Sequence, residues 1–108
     1  MVNTGEHKNM ASKKSEQDIV KYVLRLYITG ASPNSIRAVN NITQICEDHL
    51  KGRYQLEVLD VYQHKELAMQ EQLIALPLLV KIQPLPERKM FGDLSNTEKV
   101  LKALGLKS

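Results

Sequence analysis

Cysteine is almost missing from this chain. Cys46 stands alone among 108 residues, which excludes an intramolecular disulfide, an all-cysteine metal site and any thiol exchange that needs a cysteine pair. Long apolar runs are missing too. The longest, Ile74 to Val80, is far too short to cross a bilayer and is broken by Pro77. Met1 to Lys21 holds no apolar segment of the kind found in a secretory signal. The expectation is a soluble, cytoplasmic protein of a reducing compartment with no membrane partner. An excess of one charge is also lacking. The net charge is +3, with both signs interspersed and no long basic run, so no nucleic-acid partner is expected.

Catalytic and metal patterns are equally sparse. His7, His49 and His64 are scattered along the chain with no metal-ligand spacing. Glu47 and Asp48 fall on a solvated helix face with nothing in the sequence to pair them with a nucleophile. No cofactor, no metal and no enzymatic activity are expected.

What is present is ordinary globular material: 43% apolar and 25% charged residues, enough for one domain with one core. Residues 1–19 are polar and nearly without apolar anchors, which predicts a flexible tail ahead of a single domain at 20–108. The tail's three lysines are offset by three acids, so it is no basic arm.

Tyr22 to Thr29 is β-branched and aromatic, with Tyr22, Leu24, Leu26 and Ile28 on one face. Arg25 interrupts an otherwise apolar second face, which predicts a central strand. Gly30 ends it. Ser32 as N-cap and Pro33 at the first helical position open a helix to about Leu50. Its buried stripe is expected to be Ile36, Val39, Ile42, Ile45, Cys46 and Leu50, with Gly52 as the C′ residue. Tyr54 to Val61 is a second strand, with Tyr54, Leu56 and Val58 on one face and Leu59 and Val61 on the other. An amphipathic segment from His64 to about Ala75, carrying Leu67, Ala68, Leu73 and Ile74, reads as a helix. Leu78 to Ile82 reads as a buried strand. Arg88 to Phe91 is a short return strand after the Pro84 and Pro86 turn. Ser95 to Glu98 has the form of a capping box, opening a last helix through Val100, Leu101 and Leu104 that Gly105 stops.

The order β-α-β-α-β-β-α is that of the thioredoxin fold, an α/β class with a mixed four-stranded sheet. The active-site cysteines of that fold would fall at Ala31-Ser32-Pro33-Asn34, where none stands. Cys46, mid-helix on the apolar stripe, reads as a buried structural thiol. Pro77 occupies the position where thioredoxin-like proteins keep a cis-proline; the alternative is an ordinary trans-proline opening a strand.

The blocks Tyr22-Val23-Leu24-Arg25-Leu26-Tyr27 and Thr29-Gly30-Ala31-Ser32-Pro33-Asn34-Ser35-Ile36-Arg37-Ala38 resemble the KaiB family of cyanobacterial clock proteins. Three further blocks agree in order and spacing: Leu56 to Val61, Ile74 to Pro77, and Gly92 to Asn96 with Glu98 to Leu101. The resemblance spans about Tyr22 to Leu104. It implies a non-enzymatic regulator that docks on the ATPase KaiC, competes with the thioredoxin-like domain of a sensor kinase and helps sequester KaiA. It also implies two folds, a binding-competent thioredoxin-like monomer and a tetrameric ground state rearranged from about Gln63 onward.

Against that family pattern, Ala103 stands where the clock members have glycine and Gly105 where they have aspartate, which favours the helical ending and the thioredoxin-like state. Glu57 and Gln72 stand where they carry lysines, Glu57 near the surface offered to a KaiA-like partner, which points to a changed partner set. The residues expected to contact partners are Asn34, Arg37, Lys81, Arg88 and Lys89. The leading function is therefore a KaiB-like protein docking on a KaiC-type ATPase through the first helix and the adjoining sheet edge. The alternative is a KaiB-like adaptor in stress response or signalling with no clock role.

Overall fold

The computed structural model describes residues 21–66, 69 and 76–107. The expected tail at 1–19 lies outside these residues, as do Leu67, Ala68, Gln72, Leu73 and Ile74 of the second expected helix. Lys65, Glu66 and Met69 have helical backbone.

β1 (Tyr22–Ile28) lies inside the sheet because both of its faces are apolar. Tyr22, Leu24 and Leu26 are buried on one face and Tyr27 on the other, the pattern of a strand covered on both sides. The strand order is β2 (Tyr54–Asp60), β1, β3 (Leu78–Gln83), β4 (Arg88–Phe91). β2 runs parallel to β1, with Tyr22 opposite Tyr54 and Ile28 opposite Asp60. β3 is antiparallel to β1, and β4 to β3. A parallel pair needs a crossover, which α1 (Pro33–His49) supplies. α2 (Thr97–Ala103) follows β4. This is the mixed thioredoxin-like sheet that the order of elements predicts.

α1 and α2 pack on the same face of the sheet. Ala38, Ile42, Ile45 and Cys46 of α1 meet Tyr22, Leu24, Leu26 and Leu79 of the sheet, and Leu94, Val100 and Leu104 close the same cluster. Each such aliphatic side chain contributes about 1.5–3 kcal/mol by leaving water, so this cluster is the main support of α1. Tyr54 adds a tie by donating its Oη hydrogen to Glu47 at 2.6 Å. On the opposite face Tyr27, Leu59, Val61, Leu78 and Val80 form a second cluster.

Three local expectations need correction. Ile36 is exposed, and Ser35 and Ala38 are buried in its place. Successive helical residues are about 100° apart, and α1 docks rotated so that the stripe runs through Ser35, Ala38 and Ile42. Val58, on the edge strand β2, keeps its expected face but is exposed. The N-cap of α2 is Asn96, whose side chain accepts from Lys99 N at 3.2 Å. Glu98 therefore falls at the second helical position, cannot close a capping box with Ser95, and pairs with Lys107 at 2.7 Å. Finally, the C-cap of α1 is Leu50, so Gly52, with φ 81°, lies one residue past the C′ position.

Candidate partner-docking surface

The junction between β1 and α1 is a closed polar seam. Ser32 caps α1, its Oγ accepting from Ser35 N at 3.3 Å and donating to Ser35 Oγ at 2.8 Å. Ser35, 1% exposed, in turn accepts from Thr29 N at 3.1 Å. Buried hydroxyls persist where such bonds satisfy them. Asp60, at the end of β2, accepts from Gly30 N at 3.1 Å and from Tyr62 N at 2.9 Å through one oxygen. Gly30 needs its left-handed φ of 55° for this turn, and the Tyr62 ring lies against it. The two serine hydroxyls are thus committed to capping α1 and closing the seam. Cys46 is buried in the core, and burial, with a smaller push from Glu47, raises its thiol to about 12. It stays protonated at neutral pH and is no nucleophile.

Beside the seam an open hollow of about 240 Å³ lies between Ile28, Gly30, Ala31, Ile36 and Val39. Ile36 is 49% exposed, Val58 40% and Tyr62 67%. On the other flank of α1, Arg37 donates from Nε to Asp93 Oδ2 at 3.3 Å and from Nη2 to Asn34 Oδ1. Asn41 Nδ2 donates to the Asp93 carbonyl at 2.8 Å. Asp93 Oδ1 accepts from Ser95 N at 3.0 Å, an Asx-type turn. Hydrogen bonding from Ser95, helped by the Arg37 guanidinium, holds the Asp93 carboxyl below the usual carboxylate range.

The expected partner residues therefore separate. Asn34 and Arg37 are brought together at the start of α1. Lys81 stands opposite Leu24 and Arg88, toward the other end of the sheet, and is only 5% exposed. Burial, and then the like charge of Arg88, lowers the pKa of its ammonium. Arg88 and Lys89 are exposed on β4, on opposite sheet faces because they are adjacent in a strand. Pro77 is buried after a cis Leu76–Pro77 bond; the Gln83–Pro84 and Leu85–Pro86 bonds are also cis. Sequence reasoning missed Ser35, Asn41 and Asp93 as site residues. Only Asp93 carried a local signal, an aspartate two positions before a serine after a glycine. Among the described residues there is no cluster of three or more metal-ligating side chains, and no helix long and apolar enough to cross a membrane.

The pattern that defines the KaiB domain matches residues 25–106. The chain belongs to the KaiB family. The circadian clock oscillator protein KaiB of Rippkaea orientalis is 49% identical over 85 residues, covering 79% of this chain and 82% of that protein. The KaiB of Prochlorococcus marinus is 44% identical over 97 residues, covering 90% and 87%. Among solved structures, the N-terminal domain of SasA from Synechococcus elongatus superposes with a TM-score of 0.64 at 23% identity, over 82% of this chain and 87% of that one. The thioredoxin Deadhead of Drosophila melanogaster gives a TM-score of 0.64 at 10% identity, over 92% and 91%. At such identities the two structures speak to fold alone: this KaiB-family chain has a thioredoxin-like fold.

Proposed function

We propose that this KaiB-family chain is a non-enzymatic clock regulator that docks on a KaiC-type ATPase and acts by occupying a site there. The docking surface is the first half of α1 with the neighbouring β2 edge. One observation carries the reading: Ile36 is exposed at an apolar hollow, Val58 and Tyr62 are exposed on and just after β2, and Arg37 is exposed on the other flank of α1. Exposed apolar groups rimmed by polar ones mark interaction sites, and aromatic and arginine side chains are the usual anchors. Arg37 supplies the polar contact, and Asn34 accepts a hydrogen bond from it. Arg88 and Lys89 on β4, and the tip of the buried Lys81 on β3, lie toward the far edge of the sheet and stand outside this surface. Competition follows from shape. The SasA domain shares this fold, so a thioredoxin-like kinase domain is expected to contend for the same place on the ATPase.

A second reading, an adaptor in stress response or signalling with a different partner, is favoured by Glu57. This carboxylate is tied to Arg25 at 3.1 Å, so β2 offers no free cation there to a KaiA-like partner.

The test is titration of the full chain into a purified KaiC-type ATPase, with a SasA-type domain as competitor. Displacement by the competitor is expected, and Ile36→Asp should weaken docking at least about tenfold without changing the melt. Unchanged docking of Ile36→Asp removes this surface from the reading. No docking of the unaltered chain removes the ATPase and leaves the second reading.

A further inference from the structure

Arg37 is a long side chain that is 54% exposed, yet it is held at two points. Its Nε–H is committed to Asp93 Oδ2 and one Nη2 hydrogen to Asn34 Oδ1. The clasp is built on fixed parts. The second Asp93 oxygen is occupied by Ser95 N, and its carbonyl by Asn41. The next residue, Leu94, is 5% exposed in the core with a left-handed φ of 62°. Asp93 therefore cannot follow the guanidinium about; the guanidinium must follow it. The hydrogens on Nη1 and the second one on Nη2 have no acceptor among the described residues, and they form the outer edge of the guanidinium.

We infer that Asp93 is a positioning residue for Arg37, holding its outer N–H edge ready for a partner. This rests on the docking surface proposed above. Two consequences separate it from a merely structural role. A pre-ordered side chain loses less freedom on binding, which corresponds to about 2–10-fold in affinity. The clasped pair is also electrically near neutral, so it reads hydrogen-bond geometry in the partner, a carbonyl or carboxylate presented to the outer edge, more than charge. Docking should then depend weakly on salt, whereas an unclasped Arg37 would act as a free cation whose attraction is screened.

The experiment is a double-mutant cycle on the full chain, titrated into the KaiC-type ATPase at two salt concentrations. Asp93→Asn is expected to weaken docking about 2–10-fold and to steepen its salt dependence, and to have no further effect in the Arg37→Ala background. If Asp93→Asn does not fold, Asn34→Ala, which removes the other clasp from an exposed position, carries the same cycle with the same expected dependence on Arg37. Equal losses in both backgrounds, or no loss beside an intact Arg37, overturn the positioning role. An Arg37→Ala variant that docks normally overturns Arg37 as a contact, a failure of the underlying reading that is visible before the cycle is closed.

Discussion

Arg25 and Glu57 are register partners on neighbouring parallel strands, with Nε 3.1 Å from Oε1. The pair lies on the sheet face that carries Tyr27 and Leu59, with the side chains 34% and 51% exposed. A sequence reading treats the two as separate departures, an interrupted strand face and a reversed charge. In the fold they are a single feature, each neutralising the other.

Glu57→Lys sets two cations side by side in place of this pair. At such exposure the stability cost is expected to stay below about 1 kcal/mol, a fall in melting temperature under about 8 °C. The larger effect should be on encounter: association with an acidic KaiA-like partner should speed up at low salt and revert at high salt. Thermal melts and association kinetics check the two halves separately.

Ser32 and Ser35 should not be equivalent. Ser32→Ala removes a helix N-cap, worth about 1 kcal/mol. Ser35→Ala leaves the Thr29 N–H without its acceptor in a part-buried seam, a loss of about 1–3 kcal/mol. Urea unfolding of both variants is expected to rank Ser35→Ala as the more damaging. The reverse order would mean that water enters the seam and replaces the serine.

Cys46 gives a pH signature. Its thiol is raised to about 12, first by burial and then by Glu47, above the ordinary thiol value of about 8.5 in the unfolded chain. The sign follows from linkage: the contribution is complete below about 8.5 and is lost as pH rises from there toward 12. Stability should decline over that alkaline range, and the decline should shrink in Cys46→Ala. Alkylation of the native chain at pH 8 should be far slower than in denaturant. Rapid labelling of the folded protein would contradict the burial.

The end of α2 can be weakened in a controlled way. Ala103→Gly costs a helix position about 1 kcal/mol. Gly105 has φ 78°, where any side chain is strained by about 1–2 kcal/mol, so Gly105→Asp adds to it. The unaltered chain should be a monomer with helical shifts over Ser95 to Leu104. The double variant should lose helical shifts there and form more oligomer. A tetramer with strand shifts for the unaltered chain would overturn the preference for the thioredoxin-like state.

The legible part of this protein is local. Alternation in Tyr22 to Ile28 placed β1 between two apolar layers, because side chains along a strand point to opposite faces. Ser32 and Pro33 marked the start of α1 through a cap hydroxyl and a fixed φ. The turn-bounded strands after Pro77 followed from the same short-range sterics. Family membership was legible for a related reason, since blocks such as Leu56 to Val61 keep their order and spacing along the chain.

How these parts are turned against one another was settled by packing. Rotation of α1 on the sheet exposed Ile36 and buried Ser35, a choice that helical periodicity leaves open within one residue. Pairing of β3 with β4 put Lys81 beside Arg88 and buried it, which the order of residues cannot reveal. The proposed docking surface rests on contacts such as that of Arg37 with Asp93, 56 positions away. The order of the described strands and helices could be read along the chain, because backbone sterics and solvation act over a few residues. The site was left to the packed fold, because a contact across the chain exists only once the core has set the distance.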